Sequence, residues 1–426
     1  MTPVVDHPRF SSLDAWLRWQ ETLHPAEIEL GLDRVRAVWQ RLHAGPPPFF
    51  TITVAGTNGK GSSVAMLEAI LRAAGHATGA YTSPHLLRYN ERIRIDGEPV
   101  GDAELVAAFA RVDAARGEVP LTYFEFGTLA ALDIFWRQAP AVALLEVGLG
   151  GRLDAVNILD PDIALITGIG LDHIDWLGPD REAIGAEKAG ILRPARPAVF
   201  SGDDMPASIA ARAADLGVPL AVAGRDYACR CDASGLIWQG WEGTRRHPLP
   251  ALPGRHQCAN AGGVLAVLEH LPPALRPAAE AIDRGLRAVR LPGRFTRRPG
   301  RPEWILDVAH NPDGMRALAA LLKRPPRAGR TLAIVGMLRD KAVAEAMQAL
   351  SPRVDHWLAC SPGGPRALPA AELAQVLGGL DRGAPVETCA DVAAAVARAR
   401  ELAGPDDRVL ICGSFLTVAG AMAAGV

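Results

Sequence analysis

The stretch TVAGTNGKGSS, Thr53 to Ser63, decides how this chain is read. It follows the apolar run FFTITVAG and precedes SSVAMLEAILRAAGH, in which Val64, Leu67, Ile70 and Leu71 recur at helical spacing and Gly75 offers a stop. The pattern predicts strand, loop, helix. Gly56, Gly59 and Gly61 frame Lys60 in the loop. Glycines let backbone N–H groups turn inward around an anion, and a helix N-terminus adds a favourable dipole. Lys60 suits terminal phosphates, while Ser62 and Ser63 offer hydroxyls for a magnesium ion or a helix cap. The usual phosphate loop reads G-x-x-x-x-G-K-[ST]. Here Val54 stands five residues before Gly59, and Gly61 separates Lys60 from Ser62, so the strict pattern fails. The flanking strand and helix favour a nucleotide loop over an ordinary glycine turn.

Further along, ATGAYTS, AVALLEVGLGG and DIALITGIGLDH are short apolar runs ending in Gly-rich or polar turns. Such runs suit parallel strands buried on both faces. DREAIGAEKAGIL reads as helix. From Arg294 the texture changes: RFTRRPGRPE is basic and rich in Pro and Gly, and reads as a linker. Strand–helix alternation then restarts in EWILDVAH, TLAIVGML and RVLICGS. The expected architecture is α/β, with a P-loop-containing nucleotide-binding domain over residues 1–296 and a smaller Rossmann-like domain over 297–426.

A chain of 426 residues can bury a large core and divide in two. A net charge of −2 gives no basic field for nucleic acid. No apolar run is long enough to span a bilayer, and MTPVVDHPRF lacks a secretory apolar segment. Six scattered cysteines make a poor disulfide framework and suit a reducing cytoplasm; Cys229 and Cys231 read as structural or incidental.

Glu146 ends a strand run in ALLEVGLGG, where the carboxyl edge of a parallel sheet suits a metal. The competing reading is a surface acid. His173 follows another such run, and Ser83 precedes Pro84 in TSPH; alone, each reads as structural. Lys188 in AEKAGI reads locally as a solvated helix lysine. LTYFE, Thr122 to Glu125 with Leu121 before it, sets aromatic faces beside polar groups. Phe124 is the candidate to stack on a flat heterocycle, against the plainer reading of a core aromatic.

The short form GTNGKGS resembles the Mur ligase superfamily of ATP-dependent ligases. YTSPHLLRYNERIRIDGE, LTYFEFGTLAAL, LEVGLGGRLDAVN, LDHIDWLG, EKAGI, LPGRF, DVAHNPDG and CGSF follow in the order seen in folylpolyglutamate synthases, over nearly the whole chain. LTYFE resembles the bacterial type that is also a dihydrofolate synthase. The resemblance implies a Mur-ligase-like ATPase domain and amide synthesis through an acyl phosphate. Its substrates are ATP, L-glutamate, 7,8-dihydropteroate and tetrahydrofolate derivatives. It implies ATP contacts at Thr57, Asn58, Gly59, Lys60, Gly61, Ser62, Asn260, Arg294 and Asp307. Two magnesium ions would involve Ser83, Glu146, His173 and Lys188, the last as a carbamate, with Lys60, His173 and Lys188 counted as catalytic. A potassium ion belongs to the same expectation. The pterin would meet Ile28, Glu29, Leu30 and Gly31; Thr122, Tyr123, Phe124 and Glu125; and Leu153, Asp154 and Ala155. Glutamate would meet His310 and Ser414. A monomer in the cytoplasm is expected, with neither nucleic acid nor membrane as partner. GMLRDKAV departs from the family in carrying Ala342 where many relatives are acidic, which leaves Lys341 without an assigned role.

The alternatives within ligases are a monofunctional folylpolyglutamate synthase and another Mur-type amide ligase. About fifty residues precede the loop, too few for a domain that holds a nucleotide sugar. A P-loop kinase or NTPase switch would leave the second α/β half unused. A catalytically dead binding module would not need Lys60, Glu146, His173 and Lys188 together.

Overall fold

The computed structural model describes residues 8–26, 28–323, 329–380 and 383–426. The chain folds into two compact units. The first takes residues up to Pro84, Tyr89–Pro250 and Cys258–Val289; the second takes His85–Arg88, Ala251–Gln257 and Arg290–Val426.

The first unit carries an eight-stranded sheet: β1 (Phe50–Ala55), β2 (Thr78–Tyr81), β3 (Ile93–Ile95), β4 (Glu98–Pro99), β5 (Val142–Glu146), β6 (Ile163–Ile166), β7 (Ala198–Phe200) and β8 (Leu220–Val222). The spatial order is β4-β3-β2-β5-β1-β6-β7-β8. From β2 to β8 every pairing is parallel; β3 and β4 add an antiparallel edge. Its helices are α1 (Leu13–Gln20), α2 (Asp33–Leu42), α3 (Lys60–Ala73), α4 (Asp102–Arg116), α5 (Tyr123–Gln138), α6 (Ile174–Leu177), α7 (Arg181–Lys188), α8 (Ala207–Asp215) and α10 (Ala279–Ala288). The helix α9 (His256–Glu269) begins in the second unit's segment and continues in the first. Central β1 is buried beyond its first residue, with β5 and β6 on either side. The turns after β1, β5 and β6 therefore leave from one carboxyl edge, beside the point where the strand order reverses. Open parallel sheets place ligands there.

The sequence reading had no signal for the three-stranded antiparallel sheet of β9 (Ala228–Asp232), β10 (Gly235–Gly240) and β11 (Gly243–His247). It brings Cys231 onto Cys258 as a disulfide, so Cys231 is structural and one pair of cysteines is joined where a poor disulfide framework was expected. Residues 27 apart become neighbours only through the hairpin, and sequence spacing cannot reveal that.

The second unit carries β12 (Thr296–Arg298), β13 (Glu303–Leu306), β14 (Thr331–Val335), β15 (His356–Ala359), β16 (Val386–Thr388) and β17 (Arg408–Cys412), in the order β12-β13-β17-β14-β15-β16. All pairings but β12–β13 are parallel. The helices are α11 (Pro312–Leu321), α12 (Val343–Leu350), α13 (Ala370–Gly378), α14 (Val392–Leu402) and α15 (Phe415–Ala423). Alternate strand residues feed two cores: Ile305, Ala333, Val335 and Leu410 on one face, Leu306, Ile334, Val409 and Ile411 on the other. That double burial is why these strands read as continuous apolar runs. The expected linker is structured: Thr296 pairs with Leu306 and Arg298 with Trp304. The expected boundary after residue 296 thus falls inside β12. Basic side chains suit this strand because it lies at the sheet edge.

Candidate active site

Helix α3 starts directly from the glycine loop. Its N-cap is Gly59, left-handed at φ 93°, and no side chain caps it. Gly56 has φ 147°, and a Cβ there would collide with the Thr167 hydroxyl; one on Gly59 would collide with the Asn260 amide. Both positions need glycine for conformation and for space. The segment after β6 braces the loop. Thr167 Oγ1 donates to the Asn58 carbonyl at 2.7 Å, Thr57 N donates to the Gly168 carbonyl at 2.9 Å, and Thr57 Oγ1 donates to the Gly170 carbonyl at 3.0 Å. Ser62 lies in the first turn, buried near the loop, and Gly61 precedes it. Ser63 turns into the core, and its hydroxyl meets no partner among the described residues.

Two lysines converge on one atom. The Gly56 carbonyl accepts from Lys60 Nζ and from Lys188 Nζ, each at 3.0 Å. The local reading of Lys188 as a solvated helix lysine is therefore corrected: it is buried, at 4% exposure. Burial, and then the charge of Lys60, push its ammonium down to about 7. Burial disfavours the charged form of a base, and a like charge adds to that.

Ser83 and Glu146 meet at the ends of β2 and β5, where Ser83 N donates to Glu146 Oε2 at 3.3 Å. Glu146 is buried, so the surface-acid reading fails. His173 is the left-handed N-cap of α6, at φ 52°, and its N–H donates to Asp172 Oδ1 at 2.9 Å. Among the described residues no three His, Cys, Asp or Glu side chains converge as a metal cage. Hydroxyl and carboxylate oxygens still suit magnesium, which takes few protein ligands and completes its shell with water and phosphate oxygens. An amine on Lys188 is no ligand for such a hard ion; a carbamate oxygen is.

Helix α5 positions the aromatic segment. Thr122 caps it in a reciprocal box: Thr122 Oγ1 accepts from Glu125 N at 3.3 Å and Glu125 Oε2 accepts from Thr122 N at 2.8 Å. Those two side chains are buried in capping, while Tyr123 and Phe124 remain half-buried. Phe124 lies against Gly148, where a Cβ would stand 2.7 Å from its ring, and 6.1 Å from the Tyr81 ring. Asp154 approaches the same glycine and caps the short turn Ala155–Ile158, accepting from Leu149 N at 2.8 Å and Val156 N at 3.0 Å. Burial pushes its carboxyl up to about 6 against those hydrogen bonds and the charge of Lys60. Leu153 is half-buried beside it and Ala155 is buried. The segment Ile28, Glu29, Leu30 and Gly31 precedes α2 and reaches α5 through Arg34, whose Nη2 donates to Glu125 Oε1 at 3.0 Å and to the Glu29 carbonyl at 2.9 Å.

Within the second unit, Asp307 follows β13 and accepts from Phe295 N and Ala309 N, each at 2.8 Å. Burial raises its carboxyl, and the nearby Arg294 opposes this. The Arg294 guanidinium lies 5.3 Å from the centre of the Phe415 ring, and His310 lies 6.4 Å from the same ring. His310 Nδ1 is 2.9 Å from the Val308 carbonyl. Ser414 caps α15, accepting from Thr417 N at 3.0 Å, and is buried. Asn260 belongs with the first unit's loop, its amide packed over Gly59.

The sequence reading passed over Thr167, Asp172 and Arg34. Thr167 and Asp172 stand in the quoted run ITGIGLDH, and their value lies in what the sheet edge brings beside them. Asp172 bears electrostatically on Lys188, 16 residues later.

Residues 54–268 match the family model described as the Mur ligase middle domain, and residues 293–415 match the Mur ligase glutamate ligase domain. The chain is 44% identical to the dihydrofolate synthase/folylpolyglutamate synthase of Escherichia coli K12 over 413 residues, covering 97% of this chain and 95% of that protein. It is 38% identical to the Haemophilus influenzae protein of the same name, covering 96% of each. Among solved structures it resembles Escherichia coli FolC in complex with DHPP and ADP, with a TM-score of 0.91 and 42% identity over 99% of this chain and 98% of that one. It also resembles a bifunctional folylpolyglutamate synthase/dihydrofolate synthase with Mn, AMPPNP and L-glutamate bound, with a TM-score of 0.89 and 47% identity over 100% and 99%. With the glycine loop, the paired lysines and the second α/β unit already in place, these matches show that the chain belongs to the dihydrofolate synthase/folylpolyglutamate synthase family of Mur-type ligases.

Proposed function

We propose that this protein is an ATP-dependent ligase that adds L-glutamate to 7,8-dihydropteroate and to tetrahydrofolate derivatives. The observation that carries the reading is the uncapped start of α3, with Lys60 and Lys188 gathered on the Gly56 carbonyl. Relatives with ADP, AMPPNP, DHPP or L-glutamate bound support it.

Making an amide from a carboxylate requires a better leaving group than oxide. A carboxylate oxygen of the pterin-bearing acid attacks the terminal phosphorus of ATP; the bond to ADP breaks and an acyl phosphate forms. The glutamate amine attacks the acyl carbon, gives up a proton, and inorganic phosphate leaves. The N–H groups of Asn58–Ser62 and the Lys60 ammonium hold the phosphates and face the charge that moves between them. Ser83 and Glu146 would hold a divalent cation, with His173 and carbamylated Lys188 as the other oxygen- and nitrogen-donor positions of a two-magnesium arrangement. Such an ion neutralises charge on the phosphate oxygens. The depressed Lys188 ammonium supports the carbamate, because only a neutral amine attacks carbon dioxide. Phe124 and Asp154 orient the pterin, one by stacking and one by accepting its N–H groups. In the second unit Arg294 and Asp307 serve ATP, while His310 and the turn at Ser414 serve glutamate. The same reading includes a monomer, a monovalent cation such as potassium, and the cytoplasm as its place.

The test is phosphate release dependent on ATP, magnesium and glutamate, with dihydropteroate and tetrahydrofolate supplied separately. Release with both is expected. Release with tetrahydrofolate alone would reduce the protein to a monofunctional synthase. Silence with both would return the reading to other Mur-type acceptors.

A further inference from the structure

The segment Ile28–Gly31 stands apart from α5 in sequence, yet one guanidinium joins them. Among the described residues, no backbone–backbone hydrogen bond holds Ile28–Gly31 to a strand or helix. Arg34, in the first turn of α2, supplies the attachment. Its Nη2 donates to the Glu29 carbonyl at 2.9 Å and its Nη1 pairs with the Glu29 carboxylate. On the other side its Nε and Nη2 donate to the two oxygens of Glu125, at 3.4 and 3.0 Å. Glu125 is the residue that closes the capping box of α5, directly after Phe124. His24 adds a contact from behind the segment, its Nε2 3.0 Å from Glu29 Oε2. The Glu125 side chain is only 4% exposed and that of Arg34 21%. The Glu125 arm is therefore screened far less than an open surface pair, whereas Glu29, with its side chain 47% exposed, forms the more screened arm.

We propose that Arg34 is a positioning residue that sets affinity for the pterin-bearing acid, by fastening Ile28–Gly31 to the start of α5 so that the two form one wall. The inference rests on the pterin site proposed above. The hydrogen bonds and ion pairs of Arg34 run to Glu29 and Glu125, and it acts through them. A planar fork is required because one cation must serve two carboxylates from different elements. Lysine carries its three donors on one nitrogen and cannot span the separated contacts that the fork makes to both carboxylates and to the Glu29 carbonyl.

The experiment measures KM for dihydropteroate and for ATP in the full-length protein and in Arg34→Met, Arg34→Lys, Glu29→Gln and the Arg34→Met/Glu29→Gln pair, with Phe124→Ala beside them. Arg34→Met is expected to raise KM for dihydropteroate by about tenfold while moving KM for ATP less than about twofold, the pattern of lost ground-state binding. Arg34→Lys should recover part of the loss. Glu29→Gln should reproduce part of it, and the double variant should be no worse than Arg34→Met alone, since both act through one contact. Equal rises for dihydropteroate and ATP would make Arg34 a general structural residue and overturn the inference. Independent, additive effects of Arg34→Met and Glu29→Gln would overturn it as well. Should Arg34→Met fail to fold, the Lys and Gln variants carry the same comparison. Phe124→Ala separates the two levels. If it weakens dihydropteroate and Arg34→Met does not, only the Arg34 inference falls. If Phe124→Ala leaves dihydropteroate unaffected, the pterin site itself is misplaced and the inference falls with it.

Discussion

The turn after β1 and the turn after β13 both carry a parallel strand into a helix, but their polar groups are committed differently. After β13, Asp307 accepts two backbone N–H groups, and Asn311 caps α11 by accepting from Gly314 N at 2.8 Å. After β1, no side chain caps α3, and the carboxylate-free loop gathers two amines around one carbonyl. The first turn offers donors and positive charge to an arriving anion. The second has built a frame whose side chains serve the backbone. Helices α4, α8 and α10 also start without a side-chain cap, so the pointer to phosphate is the uncapped start together with the amines gathered beside it.

The comparison breaks if Lys60 is also part of a frame. Lys60→Ala should lower turnover on the order of 10²–10³-fold, as expected for a donor aimed at developing charge. Its unfolding midpoint should stay near that of the parent. Retained ATP-dependent product formation would remove the phosphate-loop assignment.

Lys188 sharpens the same side. Lys188→Ala should lose turnover by about 10²-fold or more, as for other charge-stabilising groups. Short carboxylic acids added to that variant should restore part of it, and intact-mass analysis of the parent in bicarbonate should find one bound carbon dioxide. A parent that never gains that mass, together with a Lys188→Ala variant that no carboxylate rescues, would leave Lys188 as an amine and discard the carbamate.

Asp307 tests the other side. Asp307→Ala leaves two half-buried N–H groups without their acceptor, so urea unfolding should show a loss of about 1 kcal/mol. ATP binding should weaken as well, as the proposed ATP role of Asp307 requires; a destabilised variant that binds ATP as the parent does would leave Asp307 as a frame only.

These outcomes bear on how much was visible before the fold was known. The strands at whose carboxyl ends Gly56, Glu146 and Thr167 stand were legible because double burial writes itself as continuous apolar runs. Lys60 was legible because a phosphate loop is local. Lys188 was not, since its burial and its carbonyl partner, 132 residues away, come from the sheet edge. The resemblance alone raised it above a surface lysine. Thr122 and Glu125 were legible as polar neighbours of Phe124, yet their capping box shows that their side chains serve α5 first. The basic stretch from Arg294 looked like a linker because an edge strand tolerates the same residues that a loop does.

Asp154 gives the smallest effect and the finest test. Its carboxyl rises from an ordinary 3.8 to about 6, because burial outweighs the N–H groups of Leu149 and Val156 and the charge of Lys60. Between those values the folded chain binds a proton that the unfolded chain has released. Its contribution to stability therefore falls as pH rises from about 4 to 6. Affinity for dihydropteroate should run the opposite way, because the ionised carboxylate accepts pterin N–H groups while a proton turns one oxygen into a donor. Dihydropteroate binding should weaken several-fold as pH falls from about 7 to 5, on the scale expected for losing one charge-assisted hydrogen bond. Asp154→Asn should flatten that profile, and the difference between the two profiles cancels any titration of the pterin itself. Stability and affinity moving in the same direction over this window would mean that Asp154 titrates only as part of the loop, and the stacking ring of Phe124 would then have to orient the pterin without it.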